Sequence, residues 1–525
     1  MRRLLSGTTA FVALAGAVLV LPVYAEPTPE AVPVETSVEE VALGSVEQPA
    51  AGADVQQGTT RPVTGVPDTA PALTVRETDV AQFSLVGVTW AYDEAVADVA
   101  VQIRVRDTDG DWGDWTEVAT EDVDQDAGTA SGARLRGGTS PLWTGPSTGV
   151  EAELVTRAGA APQDVRLDLI DPGSSEADVA LAEPDIQDTA DAASDMPPVY
   201  SRQQWGADEG IRTWAPEYAP TIKAAIIHHT ADTNSYTAEQ VPAMMRSIYR
   251  YHAVSRGWGD IGYNVIVDKF GRAWEGRSGG LASTVVGAHT GGFNTGTFGV
   301  SMLGNYELVE PPQVLVDMVA RVVAWKLSLF GVDPRGTVTL TSGGGGTSRY
   351  AAGARVTLPT VFGHRDVGNT TCPGRYAYAR LGEIRDRVTG LLATSGTPQI
   401  TQRYGSDAAL RSFLGTKTGP EQAAAGVVWQ PYQRGTLYYS PATGVKLVHG
   451  GVLGAYQRAG GPASLGAPTV EEQVLPDGRG VRAEFQRGLV YWTAGTGARV
   501  VRGAIAGHWF SLGGEAGSLG YPVAS

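Results

Sequence analysis

Cysteine is almost absent from this 525-residue chain: Cys372 is the single copy. An intrachain disulfide is therefore excluded in any redox compartment. The sulfur is left as a metal ligand, a free buried thiol or half of an intermolecular bridge. Positive charge is also scarce, with 40 Lys and Arg against 56 Asp and Glu, a net of −16. Nucleic-acid binders carry a basic footprint, so that class is set aside. Long apolar runs are missing too. Past the N-terminus no segment reaches the roughly 18 apolar residues of a spanning helix, and no membrane span is expected in the mature chain. A chain of this length exceeds one core, and about three or four domains are expected.

What is present divides the chain. Arg2 and Arg3, an apolar run over 11–21 and Val23-Tyr24-Ala25 read as an export signal over 1–25, so the protein is expected to be secreted. Residues 26–77 are rich in Ala, Pro, Val, Thr and Glu without sustained period and read as a disordered acidic linker. Over 78–173, apolar runs at 83–90, 99–106, 150–155 and 165–170 alternate with turn signals, which predicts a β-sandwich-like domain. Nothing in it looks catalytic, and Trp112 and Trp115 are expected to pack in its core rather than bind sugar. Residues 174–197 read as a second linker. From 198 to 395 the pattern turns α/β: a strand over 223–228, a capping-box form Thr237-x-x-Gln240, a helix face of Val241, Met245, Ile248 and His252, strands over 263–268, 298–303 and 358–363, a helix over 312–330 closed by Gly331, and a last helix over 376–392.

From 400 to 525 the chain repeats itself. Arg434-Gly-Thr-Leu-Tyr-Tyr-Ser-Pro-Ala-Thr-Gly444 matches Arg487-Gly-Leu-Val-Tyr-Trp-Thr-Ala-Gly-Thr-Gly497, and Leu465-Gly-Ala-Pro468 matches Leu519-Gly-Tyr-Pro522, with Leu414-Gly415 a worn third copy. Such arrays are usually binding surfaces rather than catalysts.

The chemistry concentrates in Pro359-Thr-Val-Phe-Gly-His-Arg-Asp-Val-Gly-Asn-Thr-Thr-Cys-Pro-Gly374. An imidazole at His364 and a thiolate at Cys372 suit a transition metal. The remaining ligand is sought in Ala224-Ala-Ile-Ile-His-His-Thr230. Neighbouring strand residues face opposite ways, so only one of His228 and His229 can serve, and spacing does not choose. Three ligands and no second cysteine favour a catalytic site with an open position over a structural one. A general base is not evident, and Asp366 is a candidate for orienting His364.

A resemblance adds what pattern does not. Ile226-Ile-His-His-Thr230, Gly257-Trp-Gly-Asp-Ile-Gly-Tyr-Asn264, Gly271-Arg-Ala-Trp-Glu-Gly-Arg277, Gly287-Ala-His-Thr290, Gly304-Asn-Tyr306, Gly363-His-Arg-Asp-Val367 and Cys372-Pro-Gly374 occur in that order. Together they resemble the peptidoglycan-recognition and zinc N-acetylmuramoyl-L-alanine amidase family over roughly 195 residues. The resemblance implies a central mixed β-sheet flanked by helices, and a Zn2+ held by His228, His364 and Cys372. It implies Tyr263 as the catalytic tyrosine, able with zinc to stabilise an oxyanion, and His229, His252 and His289 lining a peptide groove. Thr370 stands where phage-type relatives carry an assisting lysine. The implied activity is hydrolysis of the amide between N-acetylmuramic acid and L-alanine in peptidoglycan; the alternative is a non-catalytic peptidoglycan-binding protein. The C-terminal motif resembles LGFP repeats, which implies retention on a cell-envelope polymer and a cell-wall-associated location.

Overall fold

The computed structural model describes residues 31–121, 135–186, 196–345, 347–395, 397–440 and 442–524. The expected export signal lies outside them. No helix among the described residues is long and apolar enough to cross a membrane.

The first domain is a network of ten strands. Its spine is the long strand Leu142–Gly159, which pairs antiparallel with Pro71–Glu77, Phe83–Ala91 and Val96–Asp107. The stretch expected to be a disordered linker, 26–77, instead contributes three strands, Ser37–Gly44, Ala53–Gln57 and Pro71–Glu77. Each offers the core only one to three apolar side chains, such as Leu43 or Leu73 with Val75, all buried. A two-residue alternation is too short a signal to read from sequence, and the pairing partners lie about a hundred positions away: Val38 faces Ile170 and Leu73 faces Leu154. Trp112 and Trp115 are not in the core. They lie half-buried on the surface, with the Arg104 guanidinium 5.2 Å and 5.0 Å from their rings, a cation–π packing.

The central domain is the expected mixed sheet. Six strands run in the order Val199–Tyr200, Ala273–Glu275, Val265–Val267, Thr297–Met302, Ala224–His229, Val361–Gly363. All neighbours are parallel except the hairpin of Val265–Val267 with Ala273–Glu275. Ala224–His229 and Thr297–Met302 are buried at every position, the signature of strands covered on both faces. The helix Gln313–Phe330 covers one face through Leu315, Val319 and Val323, and ends at Gly331 in the left-handed conformation with φ 64°. The helix Val241–Arg250 covers the other face through Met244, Met245 and Ile248. It begins at Val241, and Gln240 reaches back to accept the Thr237 amide at 2.8 Å. It then widens into a π turn, Tyr251–Ser255, which carries His252.

The two domains share a core. Leu85, Trp143 and Ile170 of the first pack with Trp205, Met245 and Tyr251 of the second. Gly87 makes room for this: a Cβ there would stand 2.2 Å from the Tyr251 ring. The expected linker 174–197 is partly built into the seam. Its turn Glu176–Asp178 is held by the buried Arg246, whose Nη2 donates to Asp178 Oδ2 at 2.7 Å; residues 187–195 lie outside the described residues.

The C-terminal units superimpose by number. The strands Gly435–Ser440 and Gly444–Val448 and the helix Gly450–Arg458 recur 53 positions on (435 to 488, 444 to 497, 450 to 503). Leu414 and Leu465 are fully buried, and the glycine after each has positive φ. A Cβ on Gly415 or Gly466 would collide with Gln433 or Gln486, whose side-chain oxygens stand 2.2 and 2.6 Å away. The Leu-Gly pair is thus the buried turn that starts each unit. The helix Thr397–Ser406 spans the expected boundary at 400: Ile400 packs with the first repeat, while Gln402 meets Gly331 of the central domain.

Candidate metal centre

His228 sits near the C-terminal end of the strand Ala224–His229, and His364 directly follows the adjacent parallel strand Val361–Gly363, with Ile227 opposite Gly363. Two imidazoles therefore emerge together at the carboxyl edge of the sheet, where open α/β sheets place their sites. The loop after His364 returns through an Arg365 N–H to Cys372 carbonyl bond of 2.8 Å, which brings the sulfur in. One ligand atom from each of His228, His364 and Cys372 lies within 4.8 Å of the others, and all three residues are buried. His228 Nδ1 to Cys372 Sγ is 3.6 Å. Tetrahedral Zn–N and Zn–S bonds would set such a pair roughly 3.5 Å apart, so the donors fit zinc by distance and by chemistry.

The adjacent histidines separate as the strand pleat demands. His229 turns away from the sulfur, and its Nδ1 accepts the Tyr306 amide at 3.1 Å. Its own N–H points at Cys372 Sγ, 3.4 Å away, a donor suited to a thiolate. Burial, then the neighbouring His364, His289 and His229, hold His228 well below the usual histidine range. Burial first, then Arg365 and His364, takes His229 to about 3; burial, with His364 and Arg277, does the same to His289. Neutral imidazoles keep the lone pairs that a metal needs.

Around this core the other expected residues take separate places. His289 Nδ1 stands 3.1 Å from His228 Nε2, with Thr290 Oγ1 3.2 Å from the same atom, the arrangement that fixes a ligand's tautomer. Its ring lies in a glycine cradle: a Cβ on Gly287 or on Gly299 would come within 2.4 Å of His289 Cδ2. His289 Nε2 is buried with no partner among the described residues. Thr370 lines the same cavity but spends its hydroxyl oxygen on the Cys372 amide at 3.1 Å. His252, expected to line a groove, is fully buried behind Tyr263, with ring centroids 5.8 Å apart. Asp366 does not orient His364: its carboxylate accepts Gly363 N–H at 2.9 Å and the Tyr378 hydroxyl at 2.6 Å, closing the turn that carries His364.

One member of the site was not legible in the sequence. Glu121 of the first domain enters the cavity, and Tyr263 donates its hydroxyl to Glu121 Oε1 at 3.1 Å. In the sequence it is one carboxylate among several, such as Glu117 and Asp122, and only the docking of two domains brings it here. The cavity between Glu121, Ser140, Tyr263, His289, Thr370 and Cys372 measures about 30 Å³, room for one or two waters. Beyond Thr120 and Glu121 lies an interdomain cleft of about 650 Å³, walled in part by Trp90, Tyr92 and Tyr350.

Comparison with known families agrees with this layout. The N-acetylmuramoyl-L-alanine amidase family model matches residues 218–375, the LGFP repeat model matches 414–464 and 465–517, and a galactose-binding domain-like N-terminal family matches 36–177. Peptidoglycan-recognition protein SC2 of Drosophila simulans is 32% identical over 176 residues, 34% of this chain and 80% of that protein. An N-acetylmuramoyl-L-alanine amidase of Homo sapiens is 31% identical over 184 residues, 34% of this chain but 27% of that protein. Among solved structures, wild-type Drosophila PGRP-LB is 25% identical, covering 35% of this chain and 91% of its own, with a TM-score of 0.27.

Proposed function

Through its central domain the chain belongs to the peptidoglycan-recognition protein family, and on that footing we propose that it is a zinc-dependent N-acetylmuramoyl-L-alanine amidase that cuts the bond between N-acetylmuramic acid and L-alanine. The observation that carries the reading is the convergence of His228, His364 and Cys372 within 4.8 Å, beside Tyr263. A binder that does not cut has no need of a complete three-donor set.

Those three side chains would hold the ion. A zinc there supplies Lewis acidity, lowering the pKa of a water from about 16 to about 7. The chain's own groups do the rest. His289 and Thr290 hold His228 in the tautomer that leaves Nδ1 free for the metal. The His229 amide steadies the sulfur. The Tyr263 ring lies 5.4 Å, centroid to centroid, from that of His228, close enough for its oxygen to contact the reacting groups. His289 Nε2, a buried nitrogen without a partner, suits a polar group of the bound substrate, which would enter from the interdomain cleft. We assign the repeats to retention on the cell envelope and residues 1–25 to export.

Purified cell wall tests the reading. Zinc-loaded protein is expected to release stem peptides with a free L-alanine amino group, and chelation is expected to stop release until zinc is restored. Retention on the wall without release would favour the binding-only alternative.

A further inference from the structure

Glu121 reaches the metal cavity from a different domain, and its surroundings define what it does. Oε1 accepts the Tyr263 hydroxyl at 3.1 Å. Oε2 accepts from Arg256 Nη1 at 3.0 Å and stands 3.4 Å from His252 Nε2. His252 Nδ1 accepts the Gly262 amide at 3.2 Å, so its Nε2 carries the proton, close to the carboxylate but without a hydrogen bond to it. Burial alone would push the Glu121 carboxyl up; His252, Arg256 and Tyr263 outweigh it and hold it below the usual range. An ionised carboxylate only accepts, so the phenolic proton of Tyr263 must point at it. The phenolic oxygen then offers its lone pairs to the cavity.

The contact is fixed rather than swinging. Arg256 is wholly buried and makes four hydrogen bonds to three residues of the first domain: Nε donates to the Arg136 carbonyl at 3.1 Å, Nη1 to the Thr139 carbonyl at 3.3 Å, and Nη2 to the Glu121 carbonyl at 3.2 Å, besides the Glu121 side chain. The Tyr251 hydroxyl adds a bond to the Thr139 carbonyl at 2.8 Å. These bonds, all spanning the seam, hold the Glu121 carboxylate against Tyr263.

We propose that Glu121 is a positioning residue supplied by the N-terminal domain, which orients the Tyr263 hydroxyl so that its oxygen accepts a hydrogen bond from the attacking water, and that the active site is complete only with both domains. The proposal rests on the amidase reading. It also inverts the role expected of Tyr263, from donor to an oxyanion to acceptor from the nucleophile.

The test is a double-mutant cycle in the full chain. Glu121→Ala is expected to lower kcat about 10- to 100-fold with KM within about threefold of wild type. Glu121→Gln keeps an acceptor and is expected to fall in between. In a Tyr263→Phe background Glu121→Ala is expected to cost nothing further, because the group it positions is gone. Zinc content should be unchanged throughout. An equal loss in both backgrounds means a merely structural role and overturns the proposal; so does wild-type activity in Glu121→Ala, or activity above it, which would make the carboxylate a block. A readout without turnover separates this from the amidase reading: 3-fluorotyrosine at position 263 should give one narrow 19F resonance in the wild type and exchange broadening in Glu121→Ala. An inactive wild type with that contrast sinks the amidase reading alone; no contrast sinks the Glu121 contact.

Discussion

Cys372 Sγ lies 3.6 Å from His228 Nδ1, although 144 positions separate the two residues. Neither has a structural reason to meet the other: no disulfide is available, and the pair, though buried, sits at the carboxyl ends of the strands. Cys372→Ser should therefore leave the fold in place. Metal affinity should fall by more than the roughly 10- to 100-fold typical of changes outside the ligand shell. Zinc per chain after dialysis, with circular dichroism as the control, checks both statements.

The cradle of His289 gives a second expectation. Gly299→Ala places a Cβ about where His289 Cδ2 already stands, 2.4 Å away. The ring must shift, and with it the hydrogen bond to His228. Overpacking of this kind costs about 1–3 kcal/mol. Melting should report that loss, and kcat should fall by more than the fraction unfolded explains. An undisturbed kcat would remove His289 from the site.

A third concerns the domain seam. Trp143 N–H donates to Asp232 Oδ1 at 2.6 Å, and burial raises the Asp232 carboxyl to about 7 despite that bond. An unfolded aspartate titrates near 3.9. Between those values the folded chain keeps a proton that the unfolded chain has lost. The contribution is thus full below about pH 4 and declines as pH rises to about 7, by at most about 4 kcal/mol. Asp232→Asn keeps the acceptor and should flatten that part of the stability profile. Urea midpoints of variant and wild type between pH 4 and 7 decide it; parallel curves would refute the assignment.

The repeats supply a fourth. The helix Thr397–Ser406 belongs to both neighbours, so a chain ending at Asp407 keeps its packing against Gly331. Such a chain should cleave soluble fragments at the full rate and bind whole cell wall less. Loss of cleavage on soluble fragments would mean that the repeats shape the site.

Much of this was written in the chain. The ligand motif, the parallel strands and the long helix ending at Gly331 are local signals of strong period or unusual composition, and they survive in the fold. What escaped is what depends on partners far away. The strands within 26–77 carry too few apolar residues to announce themselves until Val165–Asp171 and Leu142–Gly159 pair with them. Glu121 looks like any carboxylate in an acidic stretch until Arg256 and Tyr263 close on it. Asp366 is the opposite case: its place two residues after His364 suggested a partner, but its nearest donors are Gly363 and Tyr378.

The central claim is one ion shared by two imidazoles and one thiolate, with a coordination position left over. X-ray absorption at the zinc edge of the loaded protein measures this directly. The account predicts one sulfur at about 2.3 Å and three lighter neighbours at about 2.0–2.1 Å, the sulfur disappearing in Cys372→Ser. A zinc shell without sulfur in the wild type, or one unchanged by that substitution, would contradict it.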